Sequence, residues 1–440
     1  MKISILLLAL TLCLSACSMK DYESIPGTVD TNNLDGVTEI EINDMSEHSI
    51  GMYSDVFSDV RYVALELTKE SIVGDIDKIA VTPNYELLVL DSNNKSILLF
   101  DSIGKFKNRI GSFGHGKNEY ISPLDIAYDK YHDNVIVYDI RKNKLMYYDI
   151  AGNYKKSVSL KKQIYNFEVL DDSHLVLFSN YLQEVNEKIN YNYTIIDTLG
   201  NIVKEYAPFD KSMNGLVMSM YPFHKYNDKI YSHIDCTPIV NEISLSKMQP
   251  SYLINFGDYQ NPNSYYLGGY DTFRNKILSL EPHKAVSERF YQTDDYILMT
   301  FRRKDKGPNM SIEFMIMPHK HASEQKIYYS LFNDMYGKRN YSSLFKILDV
   351  SNDKVYFLCN FDDPIKFACN TDISTDVAKL YRKIAKSESM EDEIRKVHYK
   401  FVSELESHKR KIYYTKEDDI LIDSLSNFKN PVIQICTLKK

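Results

Sequence analysis

The chain has 440 residues, of which 44% are apolar and 12% aromatic, and its formal net charge is −7. A chain of this composition can bury a large core, which excludes intrinsic disorder. The acidic balance argues against a nucleic-acid partner, because a phosphate backbone attracts basic surfaces.

The N-terminal segment has the layout of an export signal. Lys2 precedes an apolar run from Ile3 to Leu14, which is shorter than the roughly 20 residues needed to span a bilayer as a helix. The run ends in Leu14-Ser15-Ala16-Cys17, which resembles the bacterial lipobox, where the cysteine becomes the lipidated N-terminus. We expect residues 1–16 to be a signal peptide that is removed, and lipid on Cys17 to anchor the mature chain. The alternative is an ordinary secreted protein that is cut nearby.

These features predict a location in the cell envelope, with the outer membrane favoured and the body either periplasmic or surface-exposed. Residues 17–36 are rich in Ser, Thr, Asn, Asp, Gly and Pro and lack apolar periodicity. This composition is typical of a flexible tether. The folded body is then expected over residues 37–440.

A repeated motif predicts the fold. Phe100 to Phe106, Tyr148 to Tyr154 and Ile196 to Ile202 each read as an apolar residue, Asp, two residues, Gly, a polar residue and an apolar residue, and their glycines lie 48 residues apart. Asp bonds to nearby backbone and Gly supplies the positive φ of a tight reversal, so each copy predicts a β-hairpin. Four short strands in each repeat make a propeller blade. The chain length favours an all-β fold with six blades over seven or eight.

The last blade is expected to contain an α-helical insertion at about residues 375–411, where the apolar residues change to helical spacing. They form two stripes, Val377, Leu380, Tyr381 and Ile384, and then Ile394, Val397, Phe401 and Leu405. The ring is expected to close in the same blade, where a strand at 60–67 pairs with a strand at 431–438 and removes an exposed edge.

Four cysteines remain in the expected body, namely Cys236, Cys359, Cys369 and Cys436. Export permits disulfides, and Cys359 and Cys369 are the pair closest in sequence. Buried thiols on strands are the alternative.

Four segments are similar to one known family: Arg61-Tyr62-Val63-Ala64-Leu65-Glu66, Ile72-Val73-Gly74-Asp75-Ile76, Gly114-His115-Gly116-Lys117-Asn118-Glu119-Tyr120 and Asn430-Pro431-Val432-Ile433. They resemble exported six-bladed β-propeller lipoproteins of Gram-negative bacteria, which are related to NHL-repeat proteins. The resemblance implies the propeller fold but little about function, because that family has no agreed activity. Lys117-Asn118 stands where the family has Pro-Gly, which puts a shared ligand role of that segment in doubt.

The same segment contains a partial match to a phosphate-binding motif. Residues 111–118 fit the phosphate-binding spacing G-x-x-x-x-G-K, but Asn118 stands where Mg²⁺ needs Ser or Thr, and a strand is expected to follow instead of a helix. No nucleotide is therefore expected. We interpret the segment as an inter-blade loop, with Gly114, His115, Gly116, Glu119 and Tyr120 as its candidate residues.

Propeller enzymes that use a metal collect their ligands from inner strands around the axis. Candidates near the expected inner strands are Asp77, Asp125, Glu168, His224 and Glu288. A solvated channel rim is the favoured interpretation, and a divalent metal site is the alternative. Asp91 and Asp139 end equivalent strands, so we interpret them as structural groups that accept backbone N–H bonds.

No catalytic triad or zinc motif is recognisable, and no cofactor is predicted. The sequence therefore favours a non-enzymatic binding or scaffolding lipoprotein. The 35 tyrosines and 20 phenylalanines suit a protein or carbohydrate partner. The alternative is a metal-dependent hydrolase or lyase that acts at the central channel.

Overall fold

A computed structural model describes residues 34, 36–42, 45, 49–184, 187, 189–209, 211–213, 219–305, 310–320, 322–335, 347–359, 373–387, 390, 392–407, 409 and 429–440. Within them, six sheets of four or five strands form the blades of a β-propeller. The all-β, six-bladed prediction is confirmed. The expected signal peptide, Cys17 and most of the expected tether lie outside the described residues.

Each of the first three blades is a run of four consecutive antiparallel strands. Blade 1 comprises Lys78–Val81, Leu87–Asp91, Ser96–Phe100 and Phe106–Arg109. Blade 2 comprises Pro123–Asp129, Asn134–Asp139, Lys144–Asp149 and Tyr154–Ser159. Blade 3 comprises Asn166–Val169, His174–Phe178, Asn190–Asp197 and Ile202–Phe209.

Two of the other three blades recruit strands from the N-terminal part of the chain. Blade 4 comprises Phe223–Tyr226, Lys229–His233, Ile239–Ile243 and Met248–Asn255, with Thr38–Glu41 added in parallel at its outer edge. Blade 5 comprises Lys284–Gln292, Tyr296–Lys304, Met310–Pro318 and Lys326–Tyr328. Blade 6 comprises Ile347–Ser351, Lys354–Leu358, Val432–Leu438 and Phe57–Ala64.

The ring closes in blade 6, where the last strand of the chain pairs antiparallel with Phe57–Ala64, as predicted. A buried amide reinforces this closure. Asn430 accepts the Val73 N–H at 3.0 Å and donates to the carbonyls of Glu66 and Ser71 at 3.1 and 2.7 Å. Three of the four segments that carried the family resemblance therefore meet at the closure.

The described residues between 38 and 52 lie on the outside of the ring, and we call them the N-terminal strap. It begins at the edge of blade 4, and Ile50–Met52 then pairs in parallel with Ser330–Phe332 after blade 5. The short helix Tyr53–Val56 leads into the outer strand of blade 6. The strap thus joins three blades.

Two helices, Ile373–Ala385 and Asp392–Glu406, lie between the second and third strands of blade 6. Tyr381, Phe401 and Leu405 from the predicted stripes are buried against Ile50 and Phe332. The helices therefore cover the strap and each other. None of the described helices is both long and apolar enough to cross a membrane. Shorter helical turns are Lys211–Met213, Gly257–Tyr259, Asn263–Leu267, Gly269–Thr272, Phe273–Leu278 and Ala322–Glu324.

The cysteines lie mostly in the core. Cys236, Cys359 and Cys436 are buried. Cys369 lies outside the described residues, so its pairing with Cys359 stays a prediction.

The repeated glycine has two physical reasons. Gly104, Gly152 and Gly200 all have φ near +90°, at 88°, 89° and 89°. Each hairpin also presses on the preceding blade, since a Cβ on Gly152 would lie 2.1 Å from the Arg109 carbonyl oxygen and one on Gly104 would lie 2.3 Å from that of Ala64. The motif therefore specifies both a turn and the contact between neighbouring blades.

Gly152→Ala should destabilise the protein by roughly 2–4 kcal/mol, because it adds backbone strain and an inter-blade clash. Gly257→Ala is the matched control: its φ is +55° but no atom lies within 4 Å of the added Cβ, so only the strain of roughly 1 kcal/mol applies. Chemical denaturation of the two variants measures the difference. Equal losses would show that the blade contact is unimportant.

Candidate functional site

The central channel is the main candidate site. The first strands of the blades surround the axis and enclose a cavity of about 440 Å³ that is lined by residues of all six blades. Its lining includes the turns between first and second strands, such as Tyr85, Tyr131 and Asn352. The cavity therefore opens on the face of the propeller that carries these turns.

Tyr221 forms the floor of the cavity. It precedes the first strand of blade 4, and its hydroxyl donates a hydrogen bond to the Asp77 carbonyl beside blade 1. Blades 1 and 4 are opposite each other in a ring of six, so this side chain crosses the axis. The Arg289 guanidinium lies 4.3 Å from the centre of the Tyr221 ring and holds it from the other side.

Each first strand carries a charged side chain that lines the cavity or contacts a residue that does. In blade order these residues are Lys78, Asp125, Glu168, Lys225, Arg289 and Asp349, and we call them the charged ring. Lys78 pairs with Asp125 at 2.6 Å, and Lys225 pairs with Glu168 at 2.7 Å. Three cations and three carboxylates give the ring no net charge when all are ionised.

The carboxylates have a structural reason to be there. A first strand is the inner edge of its sheet, so half of its backbone groups have no partner strand. Asp125, Glu168 and Asp349 each accept the N–H of the following residue, at 2.9, 2.8 and 2.9 Å. The acidic side chains on the first strands therefore accept hydrogen bonds from unpaired backbone N–H groups. They also place negative charge in the channel.

Asp349 differs from the other two carboxylates. Within the described residues it makes no ion pair, although Lys78 and Lys225 act on it from a distance. Burial raises the pKa of Asp349 from 3.8 to about 6. The hydrogen bond from the Val350 N–H opposes this rise, whereas the negative charge of Glu168 adds to it. Burial lowers the pKa of Lys78, but the nearby carboxylates of Asp125 and Glu168 have the larger combined effect, so the pKa of Lys78 is raised. The ionised form of Lys78 is therefore favoured, whereas burial disfavours the ionised form of Asp349.

Tyrosines surround the open end. Tyr85 and Tyr131 are exposed, and the ammonium groups of Lys354 and Lys130 lie 4.9 and 5.2 Å from their ring centres. The Tyr128 hydroxyl donates to Asp133 at 2.7 Å, which fixes a third ring. The cavity thus has aromatic rings at its entrance and charged groups deeper inside.

The five residues predicted for the channel separate into two groups. Asp125 and Glu168 belong to the charged ring, as described. Asp77 instead accepts the Ser92 N–H at 2.7 Å, and Glu288 pairs with Arg302. His224 lines the cavity but is buried, which lowers its pKa to about 4, and its Nε2 lies 2.8 Å from the carbonyl oxygen and 3.0 Å from the backbone nitrogen of Gln292.

These partners bear on the metal alternative. In the part of the chain that the structure describes, no three His, Cys, Asp or Glu side chains are grouped to hold an ion. The five predicted residues are therefore not brought together as a ligand set.

The inter-blade loop lies between blades 1 and 2, as its sequence predicts. The Glu119 carboxylate accepts the Gly116 N–H at 2.8 Å, and Lys142 donates to the Gly116 carbonyl at 2.7 Å. Tyr120 is buried and donates to the Ile110 carbonyl at 3.1 Å. A Cβ on Gly114 would lie 2.0 Å from Glu119. The loop is closed by its own groups, and among its candidate residues His115 and Gly116 are exposed.

The interpretation of Asp91 and Asp139 is confirmed. Asp91 accepts N–H bonds from Gly74 and Asn94 at 2.6 and 2.9 Å. Asp139 accepts them from Ile121 and Lys142 at 2.6 and 3.0 Å. Both carboxylates hold the loop that enters their blade.

Sequence reasoning missed Asp349, Lys78, Lys225, Arg289 and Tyr221. One sequence signal could have identified Asp349. Leu348-Asp349-Val350 repeats the pattern of Leu124-Asp125-Ile126, and in both segments a second Asp follows four residues after the first. Both strands also shift register just before the aspartate. Tyr221 carried no comparable signal, since its role depends on a contact across the ring.

Asp349→Asn should stabilise the protein at neutral pH. The carboxyl ionises near pH 6 in the folded chain but near 3.8 when unfolded, so its charge costs stability above about pH 6 and costs nothing below about pH 4. Asn keeps the oxygen that accepts from Val350. We expect a gain of roughly 1–2 kcal/mol near pH 8 that disappears near pH 4.

The measurement is urea unfolding across this pH range. Asp258→Asn, on an exposed turn, is the control and should show no such gain. A destabilised Asp349→Asn variant at pH 8 would contradict the burial argument.

Comparisons with known proteins agree with this fold. A family model described as "Domain of unknown function (DUF4934)" matches residues 37–437. No curated protein matches the chain. Among solved structures, the chain is similar to a "Putative exported protein" of Bacteroides fragilis NCTC 9343, with a TM-score of 0.59 and 16% identity, covering 92% of this chain and 100% of that one.

A second similar structure is a member of the DUF4221 family from Bacteroides vulgatus ATCC 8482, with a TM-score of 0.44 and 13% identity, covering 70% of this chain and 92% of that one. At 16% identity the Bacteroides fragilis structure shows a shared fold. The expected relation to NHL-repeat lipoproteins stays a prediction. The family model, in contrast, spans most of this chain. The protein therefore belongs to the DUF4934 family.

Proposed function

We propose that this protein is an exported, lipid-anchored binding protein that holds a short saccharide in the open end of its central channel. The observation that carries this proposal is the cavity of about 440 Å³, which is closed at one end by Tyr221 and open at the other. Ligand sites in proteins usually occupy about 300–1,000 Å³. The cavity is of that size, and its wall consists of the first strands of the six blades and the turns that follow them.

The charges of the cavity favour a neutral, polar ligand. The charged ring supplies hydrogen-bond donors and acceptors but carries no net charge. A cationic or anionic ligand therefore gains little electrostatic attraction from it. A polyhydroxylated molecule can donate to Glu168 and Asp349 and accept from Lys225. The exposed faces of Tyr85 and Tyr131 can stack on the apolar face of a sugar ring.

Two observations support the location. The lipobox-like Leu14-Ser15-Ala16-Cys17 lies at the N-terminus. The Bacteroides fragilis protein of similar fold is described as a "Putative exported protein". In the cell envelope, a saccharide-binding propeller would come into contact with polymers that cross the membrane to which it is anchored.

Tyr131→Ala should weaken saccharide binding by about fivefold to tenfold, because one stacking face is lost. Tyr399→Ala is the matched control, since Tyr399 on the second inserted helix is 42% exposed and Tyr131 is 44% exposed. The measurement is a thermal-shift screen of mono-, di- and trisaccharides, with free amino acids as a contrast set, followed by calorimetric titration. Stabilisation by no saccharide, or equal binding by both variants, would overturn the proposal.

Metal analysis of the purified protein separates this proposal from the hydrolase or lyase alternative. A binding protein of this kind needs no ion, so the expected content is far below one ion per chain. A stoichiometric divalent ion that is lost in a Glu168→Gln variant would favour the metal-dependent alternative.

A further inference from the structure

The inserted helices carry a charge opposite to that of the rest of the protein. Residues 375–411 contain ten Lys and Arg against seven Asp and Glu, whereas the whole chain is at −7. A propeller blade needs only strands, so the ring does not require this basic segment. The insertion is thus the part of the molecule that an anionic surface attracts, while the remainder is repelled.

The basic residues of the first helix fall on one side. Lys379, Arg382, Lys383 and Lys386 follow at intervals of three and four residues, which places them on a single stripe of an α-helix. All four are exposed, and so are Lys396 and Lys400 on the second helix. We call these six residues the basic face.

The opposite sides of both helices are already covered. Tyr381, Phe401 and Leu405 pack on Ile50 and Phe332, which leaves the basic face directed away from the propeller. The two helices are also tied together, because the Arg395 guanidinium donates to the carbonyls of Ala385 and Met390 at 2.6 and 2.9 Å. The basic face is therefore held by folded structure.

Only part of this charge is neutralised within the protein. Arg382 pairs with Glu406 at 2.6 Å. Lys383, Lys386 and Lys396 make no ion pair within the described residues. Among the residues that the structure describes, three exposed cations of the basic face thus have no salt-bridge partner.

The basic face lies beside the segment that leads to the expected anchor. The helices rest on Ile50 and Met52 of the N-terminal strap. The strap begins at Thr38, and about 20 residues separate it from Cys17, which can span up to roughly 70 Å when extended. A tether of this length lets the helices reach the membrane, and the anchor keeps them at high local concentration near it.

We propose that the basic face docks on the anionic phospholipid headgroups of the membrane that anchors the protein. Each lysine near an anionic bilayer adds a modest attraction, so several of them can orient a molecule that is already tethered. This inference goes beyond the proposed function, because it assigns a second surface and orients the propeller on its membrane. It holds whether or not the channel binds a saccharide.

The test uses Ser18–Lys440, which keeps every residue that the structure describes but has no acyl chain. Flotation with phosphatidylcholine vesicles, with and without phosphatidylglycerol, measures binding. The wild type should bind only the anionic vesicles and should lose this binding at high salt. The triple variant Lys383→Glu, Lys386→Glu and Lys396→Glu should bind about a hundredfold more weakly.

The matched control reverses three exposed lysines of blade 3 or of the loops that precede blades 2 and 3, away from the inserted helices: Lys117→Glu, Lys161→Glu and Lys204→Glu. It changes the net charge by the same amount and should bind as the wild type does. Thermal melts check that both triple variants are folded. Equal weakening in both would show a net-charge effect alone and would overturn the proposal. Absence of wild-type binding would also overturn it, and would leave an acidic protein or polysaccharide as the partner of this face.

Discussion

The pairing of Val432–Leu438 with Phe57–Ala64 is the interaction on which the other features depend. Blades 1 to 5 are each complete without it, but the channel exists only when the ring is closed. Asn430 strengthens the closure because its side chain joins the two ends of the chain through three hydrogen bonds. The position of Tyr221, the charged ring and the cavity all follow from this one join.

A single constraint on backbone hydrogen bonds also explains why the channel is polar. The first strand of every blade exposes unpaired N–H groups toward the axis, and buried donors without partners are costly. Asp125, Glu168 and Asp349 satisfy three of them, and lysines then balance two of the carboxylates. Asp349 is left with a raised pKa, which is a stability cost typical of functional sites.

The sequence predicts the regular parts of this structure and misses the parts that depend on the ring. The 48-residue spacing of Gly104, Gly152 and Gly200 reports a local turn and a contact between neighbouring blades, so it was readable. Helical spacing likewise revealed the insertion. Tyr221 and Asp77 meet only because blades 1 and 4 are opposite, and no local pattern encodes that distance. The same reason explains why Asp77, His224 and Glu288 looked equivalent to Asp125 and Glu168 but have different partners.

The most direct test of the account is calorimetric unfolding of a chain that ends at Phe428, which lacks Asn430 and the closing strand. We expect the cooperative transition of the full chain to broaden and to fall by well over about 10 °C, since two sheet edges open and the buried bonds of Asn430 are lost. A synthetic peptide of residues 429–440 should restore the transition when it is added, while a chain that lacks only Lys440 should unfold as the full chain does. An unchanged transition in the truncated chain would contradict the claim that this strand closes the ring and creates the channel.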